Sequence, residues 1–310
     1  MDRVKLGRTG LDVSVMGVGA GGPSQMGKRS GKTEAESASI LLQAFDAGVN
    51  FVDTSENYGT EPLVGLALKD LPRDQLIIST KKSSSDAKAA DVAPGLEASL
   101  SRLGTDYVDV YNLHGVWPGD YRRCAEELYP ELLKLKEAGK IRFIGMSEKF
   151  NDDMEHEMAP MALADDIWDV MMIGFNLLNQ SARDRLLAKA IQQDIGIQVM
   201  FAVRKALSDP DHLLTVIAGL IEAGQIDPAD IDDPNDPIGF IVHKNGAVSI
   251  PDAAYRFCRH EPGTHVILSG TGNPEHLKKN IASLERGPLQ TEDVDRLKHM
   301  FRNVDSITGQ

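Results

Sequence analysis

Several shortages narrow what this chain can be. It has two cysteines, Cys124 and Cys258, in 310 residues. That is too few for a disulfide framework and fits a reducing, cytoplasmic setting. No Cys/His spacing marks a metal site. No apolar run approaches the roughly 20 residues that a membrane helix needs. The opening Met1-Asp2-Arg3-Val4-Lys5-Leu6-Gly7-Arg8 has no apolar core of the signal-peptide kind. Cations are outnumbered, and the net charge of -13 argues against nucleic acid or a membrane surface as partner. An anionic cofactor stays possible, because local lysines and helix amino termini decide that. A G-x-G-x-x-G between a strand and a helix is also missing. Gly17, Gly19, Gly21 and Gly22 cluster, but not with Rossmann spacing.

What is present is an alternation of short apolar runs and longer amphipathic ones, which indicates βα units and a parallel sheet. Expected strands are Met16 to Gly19, Asn50 to Asp53, Leu76 to Thr80, Tyr107 to Leu113, Ile141 to Met146, Trp168 to Gly174, Ile197 to Phe201 and His265 to Leu268. Expected helices between them are Thr33 to Ala47 with Thr33 as a cap, Pro62 to Lys69, Asp91 to Arg102, Tyr121 to Ala138, Asp152 to Ala164, Ala182 to Gln193 and Pro274 to Leu284. Eight such units with no break in composition point to a single domain over 1–310, a (β/α)8 barrel, rather than a doubly wound sheet. Thr291 to Asn303 is an extra outer helix. The segment 202–264 breaks the rhythm, with helices expected at His212 to Glu222 and Pro251 to His260 and a Pro-rich acidic loop at Asp227 to Pro237. Such an insertion is either a lid or binding loop, or a solvated connector.

Three successive strand-like runs end in an ionisable residue: Asp53, Lys81 and His114, with Tyr58 in the loop after the first. Active sites of barrels lie at the carboxyl ends of the strands. Adjacent strands run roughly 5 Å apart, so the four groups can converge. A cation beside a phenol favours the phenolate and lowers its pKa. Either Lys81 or its neighbour Lys82 could be the inward lysine.

Motifs spread along the chain are similar to those of the aldo-keto reductase family. Leu6-Gly7-Arg8-Thr9-Gly10-Leu11 resembles that family's amino-terminal hairpin, and Gly48 to Gly59 its Asp and Tyr signature. Leu113-His114, Gly139 to Ser147, and Gly270 to Leu277 with Asn280 follow in the family's order. The resemblance implies a barrel with an amino-terminal hairpin and extra helices. It implies hydride transfer between NADP(H), or NAD(H), and a small carbonyl or alcohol, an open-chain sugar included. Tyr58 is then the general acid, Lys81 lowers its pKa, Asp53 holds Lys81, and His114 bonds the substrate carbonyl.

By the same resemblance Ser147 bonds the nicotinamide carboxamide. Gly19, Gly270, Thr271, Gly272, Asn273, His276 and Asn280 belong to the rest of the cofactor site, with phosphate near the helix start at Pro274. The chain also departs from the pattern. Glu148 stands where many members carry Asn, Met172 where they carry Gln, and Phe175-Asn176 where they carry Tyr-Asn. The stacking aromatic is reduced to Phe201, next to Arg204 and Lys205, which could meet the cofactor's phosphates or an anionic substrate. His276 replaces the usual base of the 2'-phosphate clamp, with Lys278 and Lys279 nearby, so NADP and NAD both stay open. Alternatives are an NAD-linked sugar or alcohol dehydrogenase, and a non-catalytic regulatory subunit.

Overall fold

Turn chemistry opens the chain. The structure, a computed structural model, describes residues 1–310. β1 (Arg3–Lys5) and β2 (Asp12–Ser14) form an antiparallel hairpin across Gly10, whose φ of 65° suits the tight return. Its apolar residues Leu6, Leu11 and Val13 pack up against Phe51, Ile77, Val110, Val170 and Val266, closing one end of the sheet. That leaves the opposite end as the only mouth of the barrel interior.

The sheet itself is a closed ring of eight parallel strands: β3 (Met16–Gly19), β4 (Phe51–Asp53), β5 (Ile77–Ser83), β6 (Val108–Val116), β7 (Ile141–Glu148), β8 (Val170–Gly174), β9 (Gly196–Met200) and β10 (Val266–Ser269). β10 pairs with both β9 and β3, which shuts the ring. Strands buried on both faces read as continuous apolar runs, which is why they stood out in the sequence. Register sets the site. Gly19, Asp53 and Ser79 stand side by side, Lys81 beside Asn112, and Ser83 beside His114.

The helices arise where caps and apolar spacing coincide. Glu34–Asp46 starts at a reciprocal capping box, with Thr33 accepting from the Glu36 N–H and Glu36 accepting from the Thr33 N–H. Ala89–Leu103 ends at left-handed Gly104. Three expectations change. β5 runs on through Ser83 and β6 through Val116, so Lys81 and His114 lie inside strands and not just after them. The helix expected from Asp152 forms only over Ala159–Asp165, because both Asp153 carboxylate oxygens take N–H groups, those of Glu157 and Met158, and hold 149–158 as turns. The helix expected over 121–138 widens into a π turn at Cys124–Leu128, where Pro130 has no N–H to offer Glu126.

The 202–264 segment is less of a departure than its sequence implied. Pro210–Glu222 lies outside, but Ile250–Arg259 buries Ala253, Ala254, Phe257 and Cys258 and serves as the wall helix before β10. No helix is long and apolar enough to cross a membrane.

Candidate active site

At the mouth, Asp53 and Lys81 form a buried ion pair, with Lys81 Nζ 2.5 Å from Asp53 Oδ2. Lys81 also donates to the Thr54 carbonyl at 2.7 Å, and Ser79 donates to Asp53 Oδ1 at 2.9 Å. Asn112 in turn donates to the Ser79 hydroxyl at 3.0 Å. A charge pair this deep persists only when its remaining lone pairs and protons are satisfied, and this one is. Lys82 turns the other way and pairs with Glu56 at 3.1 Å, which settles which lysine faces inward. Tyr58 reaches over the pair. Lys81 Nζ lies 5.0 Å from its ring centre, and its hydroxyl is 3.3 Å from His114 Nε2. The ring lies flush against Gly21, where a Cβ would come within 2.5 Å of it.

His114 is oriented by Ser55. Ser55 Oγ accepts from the Asn57 N–H at 3.4 Å and lies 3.1 Å from His114 Nδ1, while Nε2 faces Tyr58. Burial, reinforced by the Lys81 charge, lowers the His114 pKa to about 3, so the ring is neutral. Tyr58 departs from expectation. Burial raises its pKa, the Lys81 ammonium opposes the rise, and the Asp53 carboxylate adds to it. The phenol is therefore held protonated, not pre-ionised. For Lys81, burial lowers the pKa, but Asp53 and then Tyr58 outweigh it and the ammonium is kept.

The rim opposite is built from the ends of β7, β8 and β9. Ser147 accepts from the Gly115 N–H at 3.2 Å and keeps its own hydrogen to donate. Glu148 does not point the same way. Its Oε1 accepts from the Gly174 N–H at 2.5 Å and its Oε2 from His156 Nδ1 at 2.8 Å, and the side chain is 1% exposed. Glu148, placed with the cofactor residues because it stands where many family members carry Asn, is instead turned by strand alternation away from the face that Ser147 occupies. Met172 is buried in β8. Phe201 falls just past β9 with a φ of 66° and lies half-buried. The Arg204 guanidinium stacks on it at 3.8 Å. Arg204 donates to Asn151 at 2.8 Å and Gln310 at 2.9 Å and makes no ion pair. Lys205 is exposed.

The β10 end forms a polar cleft of about 510 Å³ between the loop after β3 and the start of the helix Pro274–Glu285. Thr271, Gly272, Asn273, Pro274 and His276 line one side, and Ser24, Ser30 and Lys32 the other. Gly270 adjoins Gly19. Asn273 caps the helix by accepting from the Glu275 N–H, and Asn280 donates to Ser269 at 2.8 Å. Lys278 pairs with Glu275 at 2.8 Å. Arg204 holds the tail residue Gln310 and the loop residue Asn151, on the β7 and β9 side and not in this cleft. Of the groups that the sequence offered for the phosphates, His276 lines the cleft, Lys278 is paired and Arg204 stands elsewhere. Lys32 also lines it, half-buried and without an ion pair. Sequence reasoning missed Lys32, Ser55, Ser79 and His156. Only their position in the fold singles them out, although Ser55 does lie inside the Asp-to-Tyr motif.

Comparison with known proteins agrees with the barrel fold. The model of the Aldo/keto reductase family matches residues 16–301. The chain is 26% identical to the NADH-specific methylglyoxal reductase of Escherichia coli, over 95% of this chain and 96% of that enzyme. It is 40% identical to L-galactose dehydrogenase of Arabidopsis thaliana, over 46% of this chain and 47% of that one, so this match spans about half the plant enzyme. Among solved structures, an aldo-keto reductase from Klebsiella pneumoniae in complex with NADPH superposes with a TM-score of 0.73 at 22% identity, covering 99% of this chain and 98% of that one. With its closed eight-stranded barrel and a family match over nearly all its length, the chain belongs to the aldo/keto reductase family.

Proposed function

We propose that the chain reduces a small aldehyde or ketone to the alcohol, using NADH or NADPH. The observation that carries this is the protonated Tyr58 hydroxyl, set between the Lys81–Asp53 pair and a neutral His114. The residues fit the cofactor. Ser147 has a hydrogen to give a carboxamide oxygen, and Ser24, Ser30, Lys32, Thr271, Asn273 and His276 give the cleft polar side chains on both banks. A bound reduced nicotinamide supplies the hydride.

The protein's own residues do the rest. Hydride arrival at the carbonyl carbon builds negative charge on oxygen, and preplaced donors stabilise that charge where water is excluded. His114 Nε2 and the Tyr58 hydroxyl, 3.3 Å apart, are the two groups that meet that oxygen in this reading. Tyr58 gives up its proton as the charge develops, and Lys81 next to it steadies the resulting phenolate. Asp53 keeps Lys81 in place and offsets its charge. Ser147 would hold the carboxamide and Arg204, at the end of β9, the pyrophosphate that NADH and NADPH share.

The likeness to L-galactose dehydrogenase favours a second reading, oxidation of a sugar or alcohol with NAD at the same residues. A phenol held protonated fits proton donation better than proton capture, so reduction is preferred. Titration of the purified protein with NADH and NADPH, followed by a panel of aldehydes, ketones and sugars, tests both. Tyr58→Phe should cut turnover by roughly 100-fold or more while cofactor binding survives. Turnover near that of the unaltered protein would refute the acid role.

A further inference from the structure

Building on the cofactor placement just proposed, we infer that Glu148 and His156 form a clasp that positions the nicotinamide side of the site, with neither residue touching the cofactor. The clasp joins three elements. Glu148 ends β7 directly after Ser147. Its Oε1 takes the backbone N–H of Gly174 at the end of β8, and its Oε2 takes Nδ1–H of His156 from the loop that follows β7. With a donor on each oxygen and 1% of the side chain exposed, the carboxylate has no reach towards a ligand.

His156 spends conformational freedom on this contact. It adopts a φ of 56°, a left-handed backbone that non-glycine residues seldom use. Its ring is fully buried, and Nε2 has no partner at all. A buried nitrogen left unbonded is disfavoured, so the position is held by what the other side of the ring does. That side does two things. Nδ1 donates to Glu148, and the ring face stacks on Phe150 at 5.1 Å with only 22° between planes. Phe150 then fills the space a side chain at Gly174 would need, where a Cβ would lie 2.1 Å from it, and leans on Phe201 at 6.1 Å. The clasp therefore fixes, in one packed unit, the strand end that presents Ser147 and the aromatic wall ending at Phe201.

The test is a double-mutant cycle on the full chain, read by dissociation constants for NADH and NADPH, by kcat and KM, and by Tm. A second ligand, the 3-acetylpyridine analogue of the dinucleotide, lacks the carboxamide amine. Glu148→Ala and His156→Ala should each weaken dinucleotide binding about tenfold. The double variant should be no worse than either single, as residues acting as one unit are not additive. Glu148→Gln, which keeps an acceptor for Gly174 and the same shape, should recover most of the affinity and guards against simple misfolding of the alanine forms. The analogue should lose affinity by the same factor as the natural dinucleotide.

Selective loss for the natural dinucleotide alone would make Glu148 a direct ligand and overturn the inference. So would single variants that lower Tm yet bind both dinucleotides as tightly as the unaltered protein. Should the unaltered protein bind neither, the functional reading falls and the positioning role falls with it.

Discussion

His114 is neutral for a physical reason that can be tested by pH. Its folded pKa, about 3, lies below the ordinary value of 6.5, because burial and Lys81 disfavour the cation. The unfolded chain therefore binds the extra proton first. Its contribution to stability is complete above about pH 6.5 and is lost as pH falls towards the folded value. Tyr58 is displaced upward, so it also stays protonated across the neutral range. The reductive kcat/KM should consequently show no inflection near pH 6.5. An inflection there that vanishes in His114→Gln would show the ring titrating normally and sink this account. The residue types of the site were legible in sequence, because Asp53, Lys81 and His114 punctuate successive apolar runs. The direction of the Tyr58 shift was not, since desolvation depends on how the loop folds the ring against Gly21. Nor was the role of Ser55, whose hydroxyl matters only through its angle to the imidazole.

Among elements, strands were read more accurately than the turns above them. Apolar runs such as Val108 to Leu113 carry their own signal. The 149–158 turns depend on Asp153 bonding two backbone groups, which competes with the helix that the composition favoured. These turns are anchored by Asn179. Its amide nitrogen donates to the carbonyls of Met154 and Ile307, and its oxygen accepts from the Ser181 N–H and hydroxyl. Asn179→Ala leaves these groups short of partners in a buried place, at a cost of about 1–3 kcal/mol. The expected outcome is a lower denaturation midpoint with faster amide exchange in 149–158. An unchanged midpoint would show that water replaces the amide without loss.

At the scale of the whole molecule, the chain is strongly acidic yet keeps a few cations for the mouth. Lys81 is committed to Asp53 and Lys278 to Glu275, while Lys32 faces the polar cleft unpaired. If the cleft takes the adenosine end, Lys32→Ala should weaken NADPH by about tenfold and NADH by little. Removal of Arg204 should weaken both about equally. Equal losses from Lys32→Ala would assign it to a phosphate that both cofactors share. This division of labour was not legible in the sequence, because Lys32 lies far along the chain from the loop it faces.

The ring closes between its first and last strands, where Met16 to Val18 pair with Ile267 to Ser269. Those two edges meet across nearly the full chain, so joining them is entropically the most demanding contact in the sheet. The polar cleft straddles this seam, with the loop after β3 on one bank and the loop after β10 on the other. A ligand seated there spans the join and holds it shut by mass action. Amide exchange in β3 and β10 should slow when the dinucleotide is added, more than in β6; uniform slowing would show that the seam is no weaker than its neighbours. If the dinucleotide seats there as proposed, the molecule consumed in each turnover also works as a latch on the scaffold that binds it.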